Sequence, residues 1–336
     1  MTQPHIAVAC CADENYVIGL SMAMVSCFAQ ASGDYHYKLY VIDCGLAASS
    51  ITSLNDKLQQ TAHRNGASFE LAVLKPPAAA IANLPEHLGS WITYARFLLA
   101  DMVDESTIIY LDSDILCLRG VEDFVRYQTG HEAIVGVRDP IAIVANDCPC
   151  PEHLSKPDDP YLNAGLLLLN LDWMRTNLPL SKVLQWVETI GIEQLTHADQ
   201  TIINMVCQGH KTVIDKRNNW VLETVNASQL MAALPSVNIH YINRPKPWQP
   251  HRSEPRKLLA NKLFIEAAAH YQIADLAAIE VNDKAWRKAQ LKAAFYRLIN
   301  PKRGKVYQDI VATVEHAQTT SPLLSEQHLF SNKPKS

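Results

Sequence analysis

Residues 107–116 read Thr107-Ile108-Ile109-Tyr110-Leu111-Asp112-Ser113-Asp114-Ile115-Leu116. Five strand-forming residues run into two carboxylates one residue apart, and an apolar pair follows at once. A continuous apolar run is the pattern of a strand buried on both faces, and ligands of parallel α/β sheets bind at the carboxyl ends of such strands. Two acids in that place are costly unless something replaces their lost hydration, and a divalent cation does so. Taken alone, Asp-x-Asp also fits a turn with solvated aspartates, because turns select Asp and Ser for their own hydrogen bonding. The rest of the chain decides between the two.

Upstream, apolar runs at 5–11, 37–43 and 69–74 alternate with helix-like segments at 16–30, 49–63 and 91–103. This alternation predicts an α/β protein with a mostly parallel sheet and right-handed crossovers. No glycine fingerprint follows the first strand, where Ala12-Asp13-Glu14-Asn15-Tyr16 stands, so a dinucleotide-binding fold is not expected. Downstream, strands are expected at 133–137, 164–171 and 238–242, helices near 181–191 and 198–209, and a loop rich in Pro and Cys over 140–160. From Arg256 onward the chain reads as helical. These patterns predict a main domain over 1–250, a basic helical appendage over 251–318 and a polar, disordered tail over 319–336.

Hydrophobic residues make up 48% of the 336 and charged ones 19%, which allows a sizeable core in one large domain or two smaller ones. A formal charge of −4 gives no overall bias toward nucleic acid, but it hides an asymmetry. Residues 284–305 hold eight basic side chains and no acidic one, so the remainder carries −12. Most of the eight cysteines lie in apolar runs, where free Cys acts as a small hydrophobe. There is no basic segment followed by an apolar core at the N-terminus and no run long enough to span a bilayer, so a reducing cytoplasm is expected. Cys148-Pro149-Cys150 with His153 lacks a second ligand pair at zinc spacing, and is not expected to be a metal site.

Five further segments gain meaning beside the acidic motif. They are Ala12-Asp13-Glu14-Asn15-Tyr16, Thr93-Tyr94-Ala95-Arg96, Asn163-Ala164-Gly165, Asp199-Gln200-Thr201-Ile202-Ile203-Asn204, and His240-Tyr241 followed by Lys246-Pro247-Trp248. In this order and spacing, over about residues 5–250, they resemble the retaining glycosyltransferases of family 8. The resemblance implies a GT-A fold, a Rossmann-like mixed sheet flanked by helices. It also implies transfer of galactose or glucose from a UDP-sugar, with Mn²⁺ or alternatively Mg²⁺ as cofactor.

The same resemblance assigns roles. Asp112, Asp114 and His240 are implied metal ligands, and an imidazole suits Mn²⁺ better than Mg²⁺. Cys11, Ala12, Asp13 and Asn15 would meet uracil and ribose, with Tyr16 stacked on the base; the alternative is an Asp/Asn helix cap with Tyr16 in the core, and the two are compatible. Arg96 and Ser113 would face the donor sugar and phosphate, Arg96 alternatively forming an internal salt bridge. Lys246 would neutralise the departing diphosphate, or be a solvated loop lysine. Asn163, Ala164 and Gly165 would approach the donor sugar, glycine permitting close contact. Asp199 would bind sugar hydroxyls, and Gln200 would lie beneath the anomeric carbon. Glutamine is a poor nucleophile, which favours front-face substitution over a covalent intermediate. Asp139 marks the acceptor side. Asn243 occupies a position usually filled by a small residue, and Asn tolerates left-handed backbone.

In the C-terminal segment Leu291, Ala294, Phe295 and Leu298 share a helical face, edged by Lys288, Lys292 and Arg297, with Trp286 and Tyr296 nearby. That pattern fits a helix lying on an anionic membrane surface, or a packed helix with a solvated basic face. Bacterial lipopolysaccharide glycosyltransferases carry similar basic, aromatic tails. The resemblance therefore implies a lipid-linked saccharide acceptor of lipopolysaccharide or lipooligosaccharide type, met on the inner face of the cytoplasmic membrane, and no nucleic acid. The rival readings are a phosphohydrolase, disfavoured by Ile115-Leu116 after the acids, and a non-catalytic sugar-nucleotide or membrane-binding protein.

Overall fold

A computed structural model describes residues 3–329 apart from 88–89, 128–130, 150–155, 223–226, 235, 243, 279, 321 and 326–328. The strands are β1 (His5–Ala12), β2 (His36–Asp43), β3 (Ser68–Leu74), β4 (Thr107–Leu111), β5 (Ile115–Cys117), β6 (Ile134–Arg138), β7 (Leu162–Asn170), β8 (Lys211–Val213), β9 (Trp220–Val221) and β10 (Asn238–His240). Seven form one sheet in the order β3-β2-β1-β4-β7-β6-β8. Strands β3, β2, β1 and β4 run parallel, while β7 is antiparallel to both of its neighbours. All nine residues of β7 are buried, as expected of a strand with cover on both faces.

The single reversed strand is what builds the centre. Because β7 runs against β4, its beginning lies at the carboxyl end of β4, where Leu111 pairs with Leu166. The Asp112 amide donates to the Gly165 carbonyl at 2.8 Å, so Asn163-Ala164-Gly165 sits beside the acidic motif. A second, three-stranded sheet, β5-β10-β9, adds the other wall. In it His240 pairs with Ile115, and the Tyr241 amide donates to the Asp114 carbonyl at 2.9 Å.

The helix Val17–Ala29 buries eleven of its thirteen residues and is apolar nearly all round, the pattern of a helix enclosed by the core. By contrast Ala48–Asn65 buries one stripe, Leu54, Leu58, Thr61 and Asn65, and ends on Gly66 in the left-handed region at φ 73°. The segment expected to be a helix over 91–103 is instead a 3₁₀ stretch, Ile92–Leu98, leading into one α-turn, Leu99–Met102. Thr93 and Arg96 are both tied to Asp199, and this tighter winding accompanies those tertiary bonds.

After Pro250 come the helices Leu258–His270, Asp283–Ile299 and Pro301–Thr319. The first is not a detached appendage. Phe264 meets the rings of Tyr241 and Trp248, each with centroids 5.4 Å away, and the Tyr241 hydroxyl donates to the Ala260 carbonyl at 2.6 Å. Val314 and Ala317 of the last helix belong to the same core, as do Leu323, Leu324 and Leu329. The expectation of a disordered tail therefore does not hold for those three leucines, whose apolar side chains are buried. Among the described residues no helix is long and apolar enough to cross a membrane.

Candidate active site

Asp112 and Asp114 lie at the end of β4, and His240 reaches them from β10. Ligand atoms of the three lie within 4.8 Å of one another. His240 Nε2 is 3.2 Å from Asp114 Oδ1 and 3.8 Å from Asp112 Oδ2. Asp114 Oδ1 is nevertheless buried without a hydrogen bond. Burial pushes the Asp112 carboxyl up to about 6, with Asp114 adding to the rise and Arg96 opposing it. Burial also works against the charge on Asp114, but Lys246 and His240 outweigh it and hold that carboxyl well below the usual range. Two carboxylates and one imidazole crowded at a strand end, with one orphaned oxygen, fit a divalent cation, whose charge would favour the ionised form of both acids.

Around this cluster lies a web of buried charge. The Arg96 guanidinium, 3% exposed in its side chain, meets Asp112 at 2.9 Å and Asp199 at 2.8 Å. It also donates to the Ala164 carbonyl at 2.6 Å and lies 4.2 Å from the centre of the Tyr110 ring. Burial disfavours its charge, but Asp199, Tyr110 and Asp112 more than restore it. Lys246 Nζ donates to Asp114 at 2.6 Å and to the Tyr241 carbonyl at 2.7 Å. The solvated-lysine reading is thus set aside, and the salt-bridge reading of Arg96 holds.

Gln200 accepts the Ala164 amide at 2.8 Å through Oε1, and its Nε2 donates to Asp139 at 3.3 Å. Asn163 donates to the same Asp139 oxygen at 2.9 Å and accepts from the Gly165 amide at 3.0 Å. Asn204, one turn after Gln200, clamps the Leu162 backbone by accepting its amide and donating to its carbonyl, both at 2.7 Å. These bonds fix the start of β7 against the helix Asp199–Val206. Gly165 is required there by space: a Cβ on it would stand 2.2 Å from His240 Cε1.

Two cavities meet at the cluster. One, of about 610 Å³, is lined by Cys11, Ala12, Asp13, Asn15, Tyr16 and Ser113 among others. The second, of about 430 Å³, is lined by Asp139, Asn163, Ala164, Gly165, Asp199, Gln200, His240 and Lys246 among others. His87, Thr93, Arg96, Asp112 and Asp114 line both. Every candidate residue within the described part of the chain is therefore brought to one continuous cleft, and Asn243 lies outside the described residues. Tyr16 is half-buried, lines the first cavity and sets its ring edge-on to Trp248 at 5.6 Å, whereas the helix-cap reading fails, since Asp13 makes no side-chain cap bond and accepts instead from Asn15 at 3.0 Å. The Cys11 thiol lies 2.9 Å from the Tyr110 hydroxyl, and burial raises its pKa to about 12, which leaves it inert. Cys148 packs into a small apolar cluster with Ala142, Val144, Tyr161 and Met205, whereas Cys150 and His153 are outside the described residues.

Several contributors carry no motif role in the sequence. His87 enters both cavities, and Asn219 donates to Asn163 at 2.8 Å from a distant loop. Gly19 lets the helix Val17–Ala29 approach the acidic loop, since a Cβ there would stand 2.3 Å from the Ser113 carbonyl. An isolated glycine inside an apolar helix pattern is a signal of such close packing.

The model of glycosyl transferase family 8 matches residues 7–251, and the chain belongs to that family. "Probable glycosyl transferase Gly" of Streptococcus gordonii is 23% identical over 214 residues, which cover 63% of this chain and 29% of that protein. A lipopolysaccharide 1,3-galactosyltransferase of Salmonella typhimurium is 24% identical over 202 residues, 54% of this chain and 55% of the relative. The chain thus spans about half or less of these two relatives. The solved structure of galactosyltransferase LgtC in complex with donor and acceptor sugar analogues superposes with a TM-score of 0.61 at 24% identity, covering 84% of this chain and 99% of that one. The shared fold is the GT-A fold.

Proposed function

We propose that this protein is a retaining α-glycosyltransferase that moves galactose or glucose from a UDP-sugar to a lipid-linked saccharide. The observation that carries the reading is the Asp112, Asp114 and His240 cluster at the junction of two polar cavities. The larger cavity, edged by Asp13, Asn15 and Tyr16, suits a nucleoside, and the smaller, edged by Asp139 and Gln200, suits sugar and acceptor. Those three ligands would hold Mn²⁺ or Mg²⁺, which when bound supplies positive charge to diphosphate oxygens.

The chain's own groups do the rest. Arg96 lines both cavities and is held rigid by Asp112, Asp199 and Ala164, so it can orient a diphosphate without reorganising. Lys246 stands ready to follow negative charge onto the leaving diphosphate. Asp199 orients sugar hydroxyls, and Asp139 with Asn163 receives the acceptor. Gln200 is already engaged through both ends of its amide, which suits a positioning group on the sugar and not a nucleophile.

The C-terminal helices support attachment to the inner face of the cytoplasmic membrane. Leu291 is 71% exposed, Phe295 58% and Leu298 84%, beside basic residues that form no ion pair among the described residues. Trp286 packs against the core and Tyr296 stacks on Tyr307 at 5.7 Å, so the apolar contact surface is narrower than the sequence pattern predicts. The acceptor suited to that placement is a lipopolysaccharide or lipooligosaccharide core. The test is UDP release from a panel of UDP-hexoses with Mn²⁺, Mg²⁺ or chelator, with product configuration read by NMR. An α product formed only with a divalent cation is expected. No release from any UDP-hexose, or a β product, would overturn the reading.

A further inference from the structure

A third cavity, of about 570 Å³, lies between the start of the helix Leu258–His270 and the two basic helices. Arg256, Lys257, Lys288 and Lys292 line it, against one carboxylate, Glu254. None of the four cations forms an ion pair among the described residues. The Tyr307 hydroxyl also lines it and receives a bond from Lys292 Nζ at 3.1 Å. Its apolar wall includes Leu222 and Ile310. The cavity adjoins the acceptor side of the cleft, because Ile141 lines both.

Four cations to one acid around a concave space leave an excess of three positive charges. Lysine ammonium groups from two elements, an arginine and a phenol offer donors from several directions, which matches a compact, multiply charged oxyanion. A flat membrane is a poorer fit to a concave wall. The cavity-lining residues Ala285, Lys288, Ala289 and Lys292 are centred about 100° around their helix from Leu291, Phe295 and Leu298, with Lys288 nearest the apolar side, so the basic cavity and the exposed apolar face adjoin but have different centres.

We infer that the cavity formed by Arg256, Lys257, Lys288, Lys292 and Tyr307 binds a phosphate-type group carried by the acceptor, outside the catalytic cleft. This rests on the reading above only in that the acceptor occupies the Asp139 side. A phosphorylated saccharide and a lipid headgroup both carry such a group, and the experiment separates these sources.

The probe is labelled inorganic phosphate, measured by equilibrium dialysis on the full chain saturated with UDP and Mn²⁺ so that the donor cleft is filled. Lys288→Gln/Lys292→Gln should weaken phosphate binding at least tenfold. Lys284→Gln/Arg287→Gln, which removes the same charge from the same helix outside the cavity, should change it less than twofold. A parallel arm sediments each protein with phosphatidylglycerol or phosphatidylcholine vesicles. Equal phosphate binding by the parent and the cavity variant would overturn the inference, as would equal loss in both variants. So would a cavity variant that loses only its binding to phosphatidylglycerol vesicles, since the surface would then be a membrane contact. UDP release from UDP-hexose in the presence of a saccharide acceptor reads the proposed transferase separately: its absence would count against that reading and leave the phosphate result standing.

Discussion

Charge is handled in opposite ways at the two ends of this molecule. In the cleft Arg96, Asp199, His240 and Lys246 are each 5% exposed or less and bonded to one another or to the acidic motif. In residues 284–305 seven of the eight cations are exposed, and Lys292 is half-buried. A buried network loses several kcal/mol when one partner is removed, about 3–5, because the other charge is stranded. Exposed cations contribute about 1 kcal/mol each near an anionic surface, and salt erodes that. The cleft is therefore sensitive to single atoms, and the C-terminal helices only to sums.

Asp114→Asn is the strongest test of the contrast. It removes the charge that Lys246 and His240 share, and transfer should fall roughly 10³-fold, the upper range for one electrostatic group. Calorimetry should show UDP binding that depends on Mn²⁺ in the parent and loses that dependence in the variant. Equal UDP affinity with and without metal in the parent would sink the metal assignment. Gln200→Ala should lower turnover about 10²-fold while donor affinity shifts far less, as for a group acting near the transition state. The Ala164 amide also loses its acceptor, at about 1–3 kcal/mol, so a melting curve should accompany the kinetics. A large rise in KM at unchanged kcat would place Gln200 in ground-state binding.

Gly165→Ala probes packing instead of charge. The added carbon must displace the His240 ring, so metal-dependent UDP binding should weaken about ten- to a hundredfold, as for a lost orienting contact. An unchanged metal titration would show that His240 is free to move and is no ligand. The smallest effect on catalysis is expected at the other end. Leu291→Ser/Leu298→Ser should reduce partition onto anionic vesicles by about thirtyfold, at on the order of 1 kcal/mol per partly inserted side chain. Activity on a lipid-free acceptor should stay the same. Substitution is preferred to truncation here, because Val314 and Ala317 belong to the core and deletion from Lys284 would remove them.

The acidic motif, the strand order up to β4 and the family segments were legible because each is local: an apolar run, a polar interruption, a fixed spacing. Arg96 was identified, yet the pattern of residues 91–103 suggested a regular helix. Its 3₁₀ winding accompanies bonds to Asp199, about a hundred residues away. Lys246 shows the same limit. Loop lysines are solvated by default, and only Asp114 and the Tyr241 carbonyl make this one buried. At the C-terminus the periodicity located the exposed face of the helix Asp283–Ile299. It did not tell that Trp286 turns to the core or that Leu323, Leu324 and Leu329 complete it.

By itself, then, the amino-acid order determined the α/β alternation, the family, and which acids, imidazole and amides are available, since these follow from hydrophobic period and residue chemistry. The tertiary structure alone decided that β7 runs backward beside β4, that β10 delivers His240 to Asp114, and that Gly19 and Gly165 leave the space for both. The reason is physical. Local preferences act over a few residues, whereas the distances between charges are set by packing among strands far apart in sequence, and the strength of each interaction depends on the water those strands exclude.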